Sequence, residues 1–385
     1  MALARSLPAV ALLVASLGLE ACSGCRNKDA TVTDDSTAPT PEDPHDIGQY
    51  LSMAVMSDGS PAVSYYDRTK GALAFAIWNG EGWDEERIDG YTNESGLDVG
   101  DRGKYTSLVV DGSGAAWITY YDATNGNLFY AHRDAPNDWT TGTADVGGGA
   151  TPNAGQFSSL ALDAQDNPVV AHHDVNRGEL RVAHWRDGSF SGESVDEGAD
   201  VTPDTGGDTI PANVGKYAHL VIHDGTEYIA YYDAAAGDLK LATGTSGNYT
   251  IEVVDEAGDV GAWPSILIDG TDLLIAYQDV GNQDLKLARG STTGGGWDFE
   301  VIDEGDFIGA DTELFLNGSY PAILYFDGNE NNLKLAQSTG SAWQIDTVAG
   351  DEAALGFHNE TVSTNGKRYI GCYDYTNRTI WFTEL

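Results

Sequence analysis

Short apolar runs separated by clusters of Gly, Asp and Asn recur along the chain from about residue 47 onward. In one such group, the runs 106–110 and 115–121 end at the turn 111–114 and at a loop that reaches Gly126. Segments of this length between turn residues, with no helical period, predict β-strands. The first three strands of each group are apolar at nearly every position, whereas the fourth alternates, as in residues 298–301. Because strands buried on both faces lose their alternation, only the fourth strand is predicted to face solvent.

The groups form a repeat, which is marked by a pair of mostly aromatic residues followed by Asp. The seven marker residues are Asp67, Asp122, Asp174, Asp233, Asp279, Asp327 and Asp374. Their spacing of 46 to 59 residues lies in the range of propeller repeats. The sequence therefore predicts an all-β fold, a seven-bladed β-propeller of four-stranded blades.

The last repeat is incomplete, because the strand-like runs 368–373 and 378–383 are not followed by a fourth. Propellers often close their ring with a strand from the other terminus, which protects an open edge. The one candidate segment is 30–34, Ala-Thr-Val-Thr-Asp. We expect a last blade that is three-stranded or loosely closed by this N-terminal segment.

The first 46 residues predict export rather than folding. Residues 1–21 have the apolar run of a signal peptide, too short to span a bilayer, and Leu-Glu-Ala-Cys22 resembles a lipoprotein processing site in which Cys22 is acylated. Cys25 is a second candidate, and an ordinary secretory signal is the alternative. Residues 22–46, rich in Thr, Asp, Pro and Ser, predict a flexible acidic tether. The propeller then occupies residues 47–385.

The charge and the cysteine content limit the possible partners and the way in which the domain is stabilised. A formal net charge of −40 excludes nucleic acid as a plausible partner, since phosphate binding needs clustered Lys and Arg. With three Cys in the chain, the domain is not held by disulfides, and Cys372 is predicted to be a buried, inert thiol. The membrane is expected to be reached through the N-terminal lipid only.

A second motif, Gly-x-aromatic, precedes the first strand of five repeats. Its aromatic residues are Tyr50, Tyr105, Phe157, Tyr217 and Trp263, whereas Gly309-Ala-Asp311 and Gly356-Phe-His358 depart from it. The loop before the first strand and the loop after the second lie on the same face of a blade. The five aromatic residues and the seven marker Asp residues are therefore predicted to line a ligand site at the mouth of the central channel. For each Asp the favoured alternative is capping of its own turn, and for the repeated Tyr it is packing between blades.

The loops that lead into blades two, three and four are long, residues 89–104, 145–156 and 196–216. Loops of this length tend to be functional or mobile. The last of them carries Asp196, Asp200, Asp204 and Asp208, hard oxygen ligands of the kind that Ca²⁺ uses. A solvated acidic loop is the favoured alternative, and calcium is the one cofactor that the sequence suggests.

The Gly-rich turns 79–83 (Asn-Gly-Glu-Gly-Trp) and 293–297 (Thr-Gly-Gly-Gly-Trp) resemble a degenerate Asp-box turn without its Ser and Asp. On these residues the chain from about 47 to 385 resembles the sialidase-like β-propellers and the bacterial propeller-repeat lipoproteins. The resemblance implies a site with three arginines, a Tyr nucleophile with its Glu partner and an acid Asp. Arg68, Arg102, Arg177 and Arg378 fall on the predicted loop face, but in four different loops that form no recognisable set.

We predict a lipid-anchored, extracytoplasmic binding propeller of a bacterial cell envelope, most simply at the outer membrane, with a carbohydrate or an envelope protein as its partner. The alternative is a sialidase-like or other glycan-active enzyme that uses loop carboxylates, and a third reading is a structural envelope protein. The sequence favours binding over catalysis. A carboxyl with a raised pKa inside a cleft is the feature that would favour the enzyme.

Overall fold

The computed structural model describes residues 45–90, 100–148, 152–202, 209–350 and 353–385. Blades one to three contain β1 (Ile47–Val55), β2 (Pro61–Asp67), β3 (Ala72–Trp78), β4 (Trp83–Asp89), β5 (Arg102–Val110), β6 (Ala116–Asp122), β7 (Asn127–Ala135), β8 (Asp138–Asp145), β9 (Ala154–Leu162), β10 (Pro168–Asp174), β11 (Glu179–Arg186) and β12 (Ser189–Asp196). Blades four to seven contain β13 (Val214–His223), β14 (Thr226–Asp233), β15 (Asp238–Thr245), β16 (Asn248–Asp255), β17 (Val260–Asp269), β18 (Asp272–Asp279), β19 (Asp284–Ser291), β20 (Asp298–Asp303), β21 (Ile308–Asn317), β22 (Tyr320–Asp327), β23 (Asn332–Ser338), β24 (Trp343–Ala349), β25 (Phe357–Thr364), β26 (Lys367–Asp374) and β27 (Thr379–Glu384).

Each blade is an antiparallel sheet of strands that follow one another in the chain. Six sheets have four strands and the seventh has three, in the order β25-β26-β27. The predicted all-β, seven-bladed propeller is confirmed, and within the described ranges its last blade lacks a fourth strand. The segment 30–34, the signal peptide, Cys22 and all of the tether except its last two residues lie outside the described residues. Over those same described ranges, no helix is long and apolar enough to cross a membrane.

The hydrophobic core lies between neighbouring blades. The second strand of a blade is covered on both faces, so that β6 and β10 are buried at every residue, whereas the outer strand β20 is mostly exposed. Phe75 of blade one packs with Ile118 and Tyr120 of blade two in one such cluster. The loss of alternation in the sequence therefore reflects strands that are packed between two neighbouring blades.

Close backbone contacts repeat around the ring because a glycine lies at or next to the first residue of each innermost strand. A Cβ atom added to Gly261 would lie 2.5 Å from the Cα atom of Leu239 in the preceding blade. At Gly48 the same atom would lie 2.6 Å from a side-chain carbon of Ile380, which belongs to blade seven. Blade one therefore packs against blade seven through the same kind of contact that joins the other blades.

Buried hydroxyl–carboxylate bonds also join the blades. Tyr277 of blade five donates to Asp255, the last residue of blade four, at 2.6 Å, and Lys286 reaches the same carboxylate at 2.6 Å. Equivalent Tyr–Asp bonds join Tyr120 to Asp89, Tyr231 to Asp196 and Tyr325 to Asp303. We call these the interblade Tyr–Asp pairs. The repeated tyrosines in them are thus packing residues whose hydroxyl groups are bonded between blades.

Candidate functional site

A β-bulge near the start of every innermost strand turns one side chain into the central channel. In blade one, Gln49 pairs with Tyr66 and Ser52 with Ser64, so that two residues of β1 face one residue of β2. The bulged residue, Tyr50, has a φ of 53°. The equivalent residues with positive φ are Tyr50, Tyr105, Phe157, Tyr217, Trp263, Asp311 and His358. A left-handed non-glycine residue costs about 1–3 kcal/mol, and such strain concentrates at functional sites.

The bulged residues form a collar of aromatic rings. Neighbouring ring centroids lie 4.4 Å apart for Tyr50 and Tyr105, and 4.8 Å apart for Tyr105 and Phe157. The collar continues to Tyr217 at 4.5 Å and to Trp263 at 4.7 Å. The five aromatic residues predicted from the sequence are therefore brought together.

Two members of the ring do not fit the motif. His358 lies 4.9 Å from Tyr50, centroid to centroid, and Asp311 occupies the bulged position of blade six. We call the six rings, His358 included, the aromatic collar. The signal for these two members was present in the sequence, because Gly309 and Gly356 stand two residues before them, as in the other repeats.

Below the collar, the innermost strands enclose a cavity of about 370 Å³. On the side of blades one to three the wall is rich in hydroxyl groups. Ser52 accepts the backbone N–H of Leu108 at 3.1 Å, and Ser107 accepts that of Leu160 at 2.9 Å. Each serine therefore links its own strand to the next blade while its side chain lines the channel.

On the side of blades six and seven the same wall is acidic. Glu313 and Glu360 stand four residues after the motif glycine, where blades one, two, three and five have Ser. Burial raises the pKa of Glu313, although a hydrogen bond from Thr361 opposes the shift, and burial together with the nearby charge of Glu313 raises the pKa of Glu360. Burial also raises the pKa of Asp311 to about 7. These carboxyl groups are not among the site residues predicted from the sequence.

Two histidines also line the wall. His219 holds the serine position of blade four, and His358 belongs to the collar. Burial lowers the pKa of each to about 4, so that both are uncharged at pH 7. Among the described residues that line the cavity, none is Lys or Arg.

The seven marker aspartates lie elsewhere, at buried turns after the second strand of each blade. Asp122 accepts the backbone N–H groups of Thr124 and Asn125 at 2.9 and 3.1 Å. Asp67, Asp174, Asp233, Asp279, Asp327 and Asp374 accept N–H groups of their own turns in the same way. This is the geometry of the turn-capping alternative, and none of the seven lines the channel cavity. Their role as ligand contacts stays a prediction.

Two of the four predicted calcium ligands lie within the described residues, and both accept hydrogen bonds from the protein. Asp196 accepts hydrogen bonds from Tyr231 at 2.6 Å and Lys240 at 2.5 Å, and Asp200 accepts the N–H of Ala212 at 3.0 Å. Asp204 and Asp208 lie outside the described residues. In the parts of the chain that the structure describes, no group of three or more His, Cys, Asp or Glu side chains is arranged to hold a metal ion. The calcium site stays a prediction.

No protein-family model matches this chain, and no curated protein sequence matches it either. Among solved structures, the polysaccharide lyase Uly1 is similar with a TM-score of 0.53 and 9% identity, over 87% of this chain and 89% of the lyase. A fucose-binding lectin of the fungus Aleuria aurantia gives 0.47 and 15% identity, over 79% of this chain and 96% of the lectin. The leech intramolecular trans-sialidase gives 0.48 and 10% identity, over 89% of this chain and 68% of that enzyme. At these identities the likeness is one of fold: the chain is a seven-bladed propeller whose structural neighbours include lectins and sialidases.

Proposed function

We propose that this chain is a carbohydrate-binding propeller whose site is the aromatic collar and the channel below it. The observation that carries the proposal is the collar itself, in which five Tyr, Phe and Trp side chains reach the channel through strained bulges. Flat aromatic faces pack on the apolar face of a sugar ring, and nearby hydroxyl and carboxyl groups can bond its hydroxyl groups. The cavity of about 370 Å³ lies within the usual range of small-molecule sites, about 300–1,000 Å³.

Binding is favoured over catalysis because the channel carboxyl groups take part in contacts between blades. Glu313 accepts a bond from the hydroxyl of Thr361 at 3.4 Å, which links blade six to blade seven. Glu360 accepts a bond from Ser52, which links blade seven to blade one. Hydrogen bonds of this kind fix both side chains in place, as a rigid binding surface requires.

A glycan-active enzyme is the second candidate, because carboxyl groups with raised pKa do lie inside the channel. A protonated carboxyl group near neutral pH can act as a general acid, and glycoside cleavage needs a second carboxylate. Glu313 and Glu360 would be that pair. The sialidase variant of this chemistry is not favoured, since none of Arg68, Arg102, Arg177 and Arg378 lines the cavity.

The cellular setting belongs to the same proposal. Cleavage before Cys22 and its acylation would tie the propeller to a bacterial envelope, where glycans and envelope proteins are the available partners. Labelling of the expressed chain with a radioactive fatty acid tests this point. Incorporation that is lost in Cys22→Ala would support acylation of Cys22. Incorporation that persists in Cys22→Ala and is lost in Cys25→Ala would show that Cys25 is the acylated residue.

Binding of oligosaccharides to the full chain, measured by calorimetry after a glycan screen, tests the site. Trp263→Ala removes one ring of the collar and is expected to weaken binding at least tenfold, as loss of an aromatic contact at the centre of a site does. Trp297→Ala is the matched control, since Trp297 lies on the outer side of blade five and donates to Glu252 at 2.9 Å. Equal affinity of the two variants would place the site elsewhere, and the absence of any glycan ligand would overturn the proposal.

The two candidate functions separate in one further assay. A glycan that binds is incubated with the wild-type chain and with Glu360→Gln, and the products are separated by chromatography. Intact glycan in both samples supports a binding protein. Cleavage by the wild type that is lost in the variant would replace binding by catalysis.

A further inference from the structure

We infer that the ligand of this channel carries a protonated amino group and that its chemical class is an amino sugar with a free amine. The inference rests on the proposed function, because it names the ligand of the same site. It is drawn from the charge of the wall, from an acceptor without a partner and from the faces of the collar.

The carboxyl groups of the wall lie on one side of the channel, and the described lining residues include no cationic side chain to pair with them. Asp311, Glu313 and Glu360 line the side of blades six and seven, and no described lining residue is Lys or Arg. Arg368 does not line the cavity, but its charge acts on Glu313 and partly offsets the rise in pKa that burial causes there. Its two terminal nitrogens donate to the hydroxyl of Thr361 at 3.1 Å and to the carbonyl of Leu316 at 2.6 Å, and no such charge from a described residue acts on Asp311 or Glu360. A cation that enters the channel would therefore favour the ionised form of these carboxyl groups, which burial disfavours, and would pair with it.

One buried acceptor on this side has no partner. The side chain of Asn359 is 7% exposed and lies between His358 and Glu360 on the wall. Its Nδ2 donates to the carbonyls of Asp311 at 2.7 Å and Gly356 at 2.9 Å. Its Oδ1 accepts no hydrogen bond from any described residue. An unsatisfied buried acceptor is costly, and a small movement of its neighbours would open it to the channel. An ammonium group, which has three donors and no acceptor, would then satisfy it.

The rest of the wall suits a sugar ring. The faces of Tyr and Trp attract cations as well as apolar C–H groups, so the collar accepts both ends of an amino sugar. On blades two and three, away from the acids, Ser107 and Ser159 offer hydroxyl groups to the hydroxyl groups of the ligand. A bare metal ion would leave the collar unused.

The test compares three ligands of matched length on the full chain at pH 7 by calorimetry: a glucosamine trisaccharide, its N-acetylated form and a glucose trisaccharide. The glucosamine trisaccharide is expected to bind at least tenfold more tightly than either neutral ligand. Glu360→Gln and Asp311→Asn are each expected to reduce this preference about tenfold, whereas Glu85→Gln, on the exposed outer strand of blade one, leaves it unchanged.

The outcomes separate this inference from the function on which it rests. Equal or tighter binding of the neutral trisaccharides would overturn the inference and leave carbohydrate binding in place. No binding of any oligosaccharide, here or in the glycan screen, would overturn both. A preference that survives both substitutions in folded variants, as judged by their unfolding temperatures, would also overturn the inference. Residues outside the channel would then be responsible for the preference.

Discussion

The acidic groups between the blades and those in the channel have opposite surroundings. Burial alone would raise the pKa of Asp255, but the bonds from Lys286 and Tyr277 outweigh burial and hold it below its usual value. Asp311 in the channel is also buried, its one opposing bond comes from the backbone of His358, and its pKa is raised to about 7. A carboxylate with partners stabilises the fold, whereas one without them costs free energy that a ligand can recover.

The two regions also differ in how regularly they repeat. The interblade Tyr–Asp pairs recur at four junctions with the same residue types. The channel position that is Ser in four blades is His219, Glu313 and Glu360 in the others. Regularity thus marks the contacts that build the ring, and the departures from it mark the chemistry of the channel.

The largest expected effect comes from breaking an interblade pair. Asp255→Ala leaves the hydroxyl of Tyr277 without its acceptor and the buried ammonium of Lys286 with the more distant carboxylate of Asp279, at 3.8 Å. Loss of one partner of a buried ion pair costs about 3–5 kcal/mol, so the free energy of unfolding in urea is expected to fall by that amount. Asp272→Ala, at an exposed residue of the same blade pair, is the control. A loss below about 1 kcal/mol would mean that the interblade Tyr–Asp pairs contribute little to the stability of the ring.

A smaller effect of opposite sign is expected in the channel. Because the pKa of Asp311 is raised in the folded state, its contribution to stability is fully present below pH 4 and is lost as the pH rises to about 7. Asp311→Asn removes this loss and keeps a residue that tolerates positive φ. At pH 8 the variant is therefore expected to be more stable than the wild type by about 2 kcal/mol, with little difference at pH 4.

Urea unfolding of both proteins at the two pH values measures this difference. His219 and His358 titrate in the same range but are common to both chains, so their effect cancels. Equal stability at pH 8 would show that Asp311 is already paired in the wild type, and the contrast with Asp255 would disappear.

The smallest effect is expected at a turn. Asp374→Ala removes the acceptor of the backbone N–H of Asn377 at 2.8 Å and of its side-chain amide at 2.7 Å. We expect a loss of about 1 kcal/mol in the free energy of unfolding, partly restored in Asp374→Asn, and unchanged affinity for glycans. Weaker glycan binding by a stable variant would instead support the ligand role that the sequence predicts for the marker aspartates.

Most of the fold was predictable because the repeat shows strand length, turn position and burial directly. Tyr50, Tyr105 and Trp263 were found by their spacing from a glycine, which does not depend on the partner blade. Glu313 and Glu360 were missed because a bulge adds one residue to the strand, and simple alternation then no longer tells which side chains face the channel. Asp46 was assigned to the tether, yet it is buried and accepts the hydroxyl of Tyr373 in blade seven at 2.7 Å, a contact that only ring closure creates.

The bulged positions can also be substituted without disturbing the sheets. Tyr50 and its six equivalents belong to no cross-strand pair of their own sheet, since the register passes from Gln49 directly to Ser52. Replacing one of them changes the side chain that faces the channel without altering any cross-strand pair of the sheet. The sheets therefore provide a fixed frame with seven exchangeable positions, and Asp311 and His358 show that residues other than Tyr, Phe and Trp are accepted there. On the proposed function, single substitutions at these positions are expected to change ligand specificity, because the glycine two residues before each one keeps the new side chain directed inward.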